Sequence, residues 1–230
     1  MGSEPTVDEA EMTRLNFRLG KRRISGVGKL CDHHRNVVYL QIIPTTFDRL
    51  LFWLLQLVPV ALCAIIKSWF PESFLPSRIV LKRQKKDWDD EFDNEKAIYQ
   101  TLAPVQGKAV PVCYGEVECT ETETTGKRAL VLSDIGGVSL HEDDARGLEV
   151  AELEGMLSKP FRALAELKVS HDDYKLDNYR LVGDKIMIID FDSSYIFETE
   201  EPDFVTFRSV KFVSRLYNNV HRGGAAMSWL

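Results

Sequence analysis

Asp173, Asn178 and Asp190 lie within HDDYKLDNYRLVGDKIMIIDFD, residues 171–192. Two carboxylates and an amide are hard oxygen donors of the kind that hold Mg²⁺, and an aspartate not used as a ligand can orient a hydroxyl. Together they describe phosphate-handling chemistry. The competing use of the same residues is turn chemistry, since Asp and Asn also make the local hydrogen bonds of tight connections.

The flanking residues predict the elements that would gather these groups. Residues 179–182 and 185–189 read as two short strands, and Gly183-Asp184 between them suits a two-residue hairpin turn. Antiparallel pairing across that turn sets Asn178 beside Asp190. Residues 171–177 are too polar to bury and must loop back to the same end. Upstream, residues 148–169 are helical in pattern, with Leu157, Phe161, Leu164 and Leu167 offering an apolar side beneath the loop. Pro160 must start a new helix or kink the old one.

A second constellation lies nearer the N-terminus. Residues 79–82 read as a strand ending in Lys82. A helix over 88–102 places Trp88, Phe92, Tyr99 and Leu102 on one stripe, with Glu95 in its middle. A carboxylate on a core-facing side is costly unless paired, and Lys82 is the obvious partner. The alternative leaves Lys82 at an exposed strand end and Glu95 wetted by solvent.

The spacing H-x-D-x-x-x-x-N of His171, Asp173 and Asn178, the following Asp190-Phe191-Asp192, and V-L-K at 80–82 before F-x-x-E-x-x-x-Y at 92–99 resemble the signature set of the protein-kinase-like superfamily. The pattern looks like the compact fungal kinase-like proteins and, more distantly, the aminoglycoside and choline phosphotransferases. The resemblance implies an α+β, two-lobed protein-kinase-like fold, with a small antiparallel β lobe and a reduced helical lobe. It implies Asp173 as catalytic base, Lys175 contacting the transferred phosphate, and Asn178 and Asp190 as magnesium ligands. Lys82 braced by Glu95 would hold the ATP phosphates, and the backbone of Ser133 and Ile135 would bind the adenine edge. Ser133 to Gly137 reads equally as a plain linker. His171 is expected to brace the loop rather than act as acid or base.

Departures from that pattern define the alternative. Asp172 replaces an arginine common beside the catalytic aspartate, and Asp192 replaces the glycine of D-F-G. Gly20, Gly26 and Gly28 do not spell G-x-G-x-x-G, so Gly26 and Gly28 read as turn glycines, and no A-P-E motif follows Asp192. The first expectation is an ATP- and Mg²⁺-dependent phosphotransferase acting on an unidentified protein or small-molecule hydroxyl. The second is a catalytically silent binding module.

The expected organisation is an N-terminal segment over 1–46 with degenerate strands (one at 37–43), an apolar helical insertion or membrane segment over 47–76, a small lobe over 77–134 and a helical lobe over 135–230. Residues 111–132 read as a hairpin, and Phe204, Phe207, Val210 and Leu216 suggest a last amphipathic helix. The run LLFWLLQLVPVALCAII, residues 50–66, lacks charge and is bracketed by Arg49 and Lys67. It is close to the length that crosses a bilayer, but Gln56 and Pro59 sit in its centre. A span, a helix lying on a membrane or on the domain, and a segment absent from the functional product are all open readings.

Composition excludes other classes. With 230 residues, 44% of them hydrophobic and 28% charged, the chain is long enough for a sizeable core. A net charge of −6 argues against nucleic acid as partner. Cys31, Cys63, Cys113 and Cys119 have neither metal-ligand spacing nor the density of a disulfide scaffold. With no secretory signal at Met1, the expected location is the cytoplasm or the cytosolic face of a membrane.

Overall fold

The computed structural model describes residues 13–30, 36–55, 59, 62, 74–119 and 125–223. The chain forms two compact units, Met1–Asp87 with Tyr114–Asp134, and Trp88–Cys113 with Ile135–Leu230.

The first unit is built from β1 (Thr13–Leu19), β2 (Arg22–Leu30), β3 (Val37–Ile42), the helix α1 (Thr46–Leu55), β4 (Arg78–Lys85), β5 (Cys113–Glu118) and β6 (Thr125–Ser133). The strands close into an antiparallel barrel in the order β1-β2-β3-β4-β6-β5. Alternation along each strand decides which side chains fill it. Phe17, Leu19, Ile24, Val38, Leu40, Ile79, Leu81 and Val131 form its buried interior, while Arg14, Arg18, Arg23 and Lys29 are exposed.

Closure requires β2 and β3 to approach closely, and Gly26 and Gly28 permit it. Both are buried positions within β2, paired with Ile42 and Leu40, rather than the turn glycines their spacing suggested. A Cβ at Gly28 would lie 2.1 Å from the Tyr39 carbonyl oxygen and 2.6 Å from Leu40 Cδ2; at Gly26 the nearest atom would be 3.2 Å away.

The expected protein-kinase-like fold, two-lobed with a small antiparallel β lobe and a reduced helical lobe, is overturned by this barrel. The reason lies in residues 13–42. They supply three full strands in place of the degenerate ones expected, and β1 then meets β5 through the Arg18 and Glu118 pair, so the sheet closes on itself instead of remaining an open lobe.

The second unit holds α2 (Asp89–Thr101), β7 (Val138–Ser139), α3 (Val150–Glu166), β8 (Val169–Ser170), β9 (Tyr179–Val182), β10 (Lys185–Ile188), β11 (Tyr195–Ile196) and α4 (Pro202–Arg222). β10, β9 and β7 make one small sheet, and β11 pairs with β8. Pro160 is buried inside α3, which continues past it as one helix. α4 is in a different phase from the one its aromatics suggested. Val205, Ser209, Val213 and Tyr217 face inward with Val210 and Ser214, while Phe204 and Phe207 are exposed. Small hydroxyl side chains on the inner face allow close packing on α3, where Glu154 accepts from Lys211 Nζ at 2.7 Å and from Ser214 Oγ at 3.0 Å.

No helix among the described residues is long and apolar enough to cross a membrane. Most of residues 56–73, and with them most of the span read into 50–66, lie outside the described residues. So do Cys31 and Cys63.

The glycine geometry carries a graded outcome. Gly28→Ala is expected to destabilise the protein by about 1–3 kcal/mol, the usual cost of overpacking, and Gly26→Ala by clearly less. Urea unfolding midpoints of the two variants check the order, and equal midpoints would contradict it.

Candidate phosphate-handling site

Every residue proposed for chemistry between 171 and 192 belongs to the second unit. In the β9–β10 hairpin, Tyr179 pairs with Ile188 and Val182 with Lys185, and Gly183 takes a φ of +63° at the turn. The ladder runs one step further, with Ile189 N–H donating to the Asn178 carbonyl at 2.9 Å. That bond sets Asn178 against the residue before Asp190.

Beneath the loop lies a row of rings. Tyr99 of α2 meets Phe191 edge-on, with centroids 5.3 Å apart. Phe191 meets His171 at 5.3 Å, His171 meets Tyr179 at 5.8 Å, and Tyr179 meets Phe161 of α3 at 5.7 Å. Such contacts contribute roughly 0.5–1.5 kcal/mol each beyond their buried area. His171 Nε2 faces two carbonyl oxygens, Asp190 O at 2.9 Å and Ile189 O at 3.2 Å. That nitrogen therefore carries the proton, and Nδ1 accepts from Tyr179 Oη at 3.4 Å. Burial pushes the imidazole pKa down, opposed in part by the bonds to Asp190 and Ile189. The ring is a neutral brace.

This packing holds Asp190 at a φ of +64°, a conformation that costs most L-residues about 1–2 kcal/mol and Asp or Asn less. Its carbonyl is held by His171, and the next residue, Phe191, is buried with its N–H donating to Glu95 Oε1 at 3.2 Å. Glu95 is thus a buried carboxylate that anchors the segment carrying Asp190. Asn94, beside it on α2, donates to Asp192 O and Ser194 O at 3.2 and 2.7 Å.

The loop brings the remaining groups together. Lys175 Nζ lies 2.9 Å from Asp173 Oδ2, and Asn178 Nδ2 donates to the Asp173 carbonyl at 3.0 Å. Burial acts to raise the Asp173 pKa, but the hydrogen bond and charge of Lys175 outweigh it and hold the carboxyl below its ordinary value. The Lys175 pKa is raised, first by Asp173 and also by Asp190 and Asp192. The exposed ammonium group is therefore paired with Asp173 and lies in the field of Asp190 and Asp192. Asp192 was not singled out as a site residue, and its only mark in the sequence was the place it takes from glycine. Tyr99 was read as a core residue. It is fully buried, its Oη has no hydrogen-bond partner, and Glu95, Cys113 and Asp190 add to the burial that raises its pKa.

The residues present fit a magnesium ion by their donor chemistry. With its nitrogen committed to Asp173, the Asn178 amide has Oδ1 as its acceptor, and Asp190 supplies carboxylate oxygens. One or two protein oxygen donors completed by phosphate and water is the usual arrangement for Mg²⁺. Among the described residues no group of three or more His, Cys, Asp or Glu is arranged to hold a metal.

The other expected contributors lie elsewhere in the chain. Lys82 is on β4 of the barrel, paired with Val37 and Leu130, so it and Glu95 belong to different units. Ser133 ends β6 opposite Ile79, and Ile135 begins the next stretch of the second unit. Between them Asp134 holds Arg78 at 2.6 Å.

No model of a known protein family matches this chain, and no curated protein matches it. The kinase-like resemblance carried by residues 80–99 and 171–192 is therefore withdrawn along with the fold it implied.

Two outcomes follow from this geometry. Since His171 is neutral when folded and its pKa is depressed, the unfolded chain binds the proton more readily, so its contribution is complete above about pH 6.5 and is lost as pH falls below that. NMR titration is expected to find a neutral Nε2–H imidazole that protonates below the ordinary histidine value; titration at or above it would contradict the buried brace. At Asp190, where the positive φ disfavours branched side chains, substitution by Val should cost about 1–2 kcal/mol more thermal stability than substitution by Gly. Melting curves read both.

Proposed function

We propose that residues 171–192 form the active site of an ATP- and Mg²⁺-dependent phosphotransferase that moves the γ-phosphate to a hydroxyl acceptor. The observation that carries this reading is the Asp173–Lys175 ion pair on a loop tied by Asn178, whose carbonyl takes the N–H of the residue before Asp190. The Asn178 amide oxygen and the Asp190 carboxylate are hard donors of the kind a divalent cation takes. Asn178 and Asp190 would hold that cation, which when bound offsets phosphate charge.

Asp173 is ionised at neutral pH and stands on a loop fixed from below, suited to accept a hydrogen bond from an acceptor alcohol and take its proton. Its contact with Lys175 ties base and cation together. As a phosphate oxygen draws the ammonium away, the Asp173 pKa rises toward its ordinary value and the carboxylate becomes a better base. Lys175 then offsets charge on the transferred group. The acceptor is a small molecule or a protein, and the net charge of −6 disfavours nucleic acid. Cys113 and Cys119 form no disulfide, in keeping with a cytosolic setting.

A second reading, a silent module that binds without transferring, is favoured by one observation. Gly26 and Gly28 are built into the barrel wall, leaving the usual glycine-rich phosphate cradle unspelled in this part of the chain.

Two measurements separate the readings. Mg-ATP is expected to raise the melting temperature of wild type and not of Asp190→Asn, each compared with its own unliganded value. Release or transfer of γ-phosphate should fall roughly 10²–10⁴-fold in Asp173→Ala, the usual contribution of a positioned base. Stabilisation without turnover would select the silent module, and neither effect would overturn both.

A further inference from the structure

The helix α1 turns large apolar side chains to solvent. Among its described side chains the exposed ones, Thr46, Arg49, Leu50, Trp53 and Leu54, recur at the i, i+3, i+4, i+7, i+8 spacing of a single helix face. On a surface helix that face is normally polar. Here Leu50, Trp53 and Leu54 are 55%, 57% and 44% exposed.

The helix is fixed to the barrel at its start. Thr45 and Asp48 cap each other, Asp48 N–H donating to Thr45 Oγ1 and Thr45 N–H to Asp48 Oδ2 at 2.7 Å, and Asp48 also takes the Arg22 guanidinium. Arg22 sits at the β1–β2 turn, so the pair brings the exposed Lys21 and Arg23 to the N-terminal end of α1, where Arg49 is exposed as well. Across the turn Arg18 is directly opposite Arg23. Like charges so placed are destabilising, and Glu118, opposite Arg18 on β5, relieves only one side. Residues 13–30 hold Arg14, Arg18, Lys21, Arg22, Arg23 and Lys29 with no acidic residue, in a chain of net charge −6.

From these observations we infer that α1 and the β1–β2 turn form a docking surface for an anionic lipid bilayer. Leucine and tryptophan side chains suit the boundary between headgroups and acyl chains. Basic side chains at one end of the apolar face match anionic headgroups. The inference is independent of the phosphotransferase reading.

The test uses the full chain with vesicles of phosphatidylcholine alone or mixed with phosphatidylserine. Wild type is expected to sediment with the mixed vesicles and less with the neutral ones. Trp53→Glu should weaken sedimentation on the order of tenfold or more, while Lys21→Glu with Arg23→Glu should remove on the order of tenfold from the mixed vesicles only. Circular dichroism checks that the variants are folded. Quenching by brominated lipid supplies a second measurement that needs no disruptive change: it should be strong in wild type and clearly reduced in Trp53→Phe. Wild type left in the supernatant with both vesicles, or Trp53→Glu sedimenting like wild type, overturns the proposal. So does light scattering that shows a dimer broken by Trp53→Glu without vesicle binding, which would assign the face to a second copy.

Discussion

The arrangement of residues 171–192 depends on one buried ring. His171 lies between Phe191 and Tyr179, and its single N–H is directed at the carbonyls of Ile189 and Asp190. A charged imidazole could not be buried there without a large desolvation cost, and an apolar ring of the same size would leave the carbonyls without their donor. Neutral histidine meets both demands. With the ring in place, Phe191 can pack against Tyr99, Glu95 can take the Phe191 N–H, and Asp190 is left with the positive φ that presents its side chain. The strain sits on a residue type that tolerates it and next to the chemistry it would serve.

Above that ring the interactions are electrostatic and more exposed. Lys175 is mostly solvent-accessible while Asp173 is largely covered, so the carboxylate is the fixed partner and the ammonium the movable one. A rigid floor with a loosely held cation above it suits a site whose ligand brings its own negative charge.

How much of this was legible in the sequence depended on the range of the interactions. Local patterns were readable. The β9–β10 hairpin lies where strand alternation and Gly183 put it, α2 lies within the 88–102 stripe, and the convergence of Asn178 on Asp190 follows from hairpin register alone. Barrel closure was not readable, because it depends on β1 meeting β5 across about a hundred residues and on what a side chain at Gly28 would strike. Neither leaves a periodic trace. The face of α4 was misread for a related reason: its large aromatics drew attention outward, whereas Ser209 and Ser214 occupy the packed side. The motif spacing of residues 171–192 survives as local geometry, but it did not determine the architecture around it.

Among the described residues β1 is held on both flanks: by β2 along its whole length, from Thr13 opposite Gly28 to Leu19 opposite Arg22, and by β5 where Arg18 is opposite Glu118. A strand with a partner on each side leaves no free edge at that point for a foreign extended segment to extend.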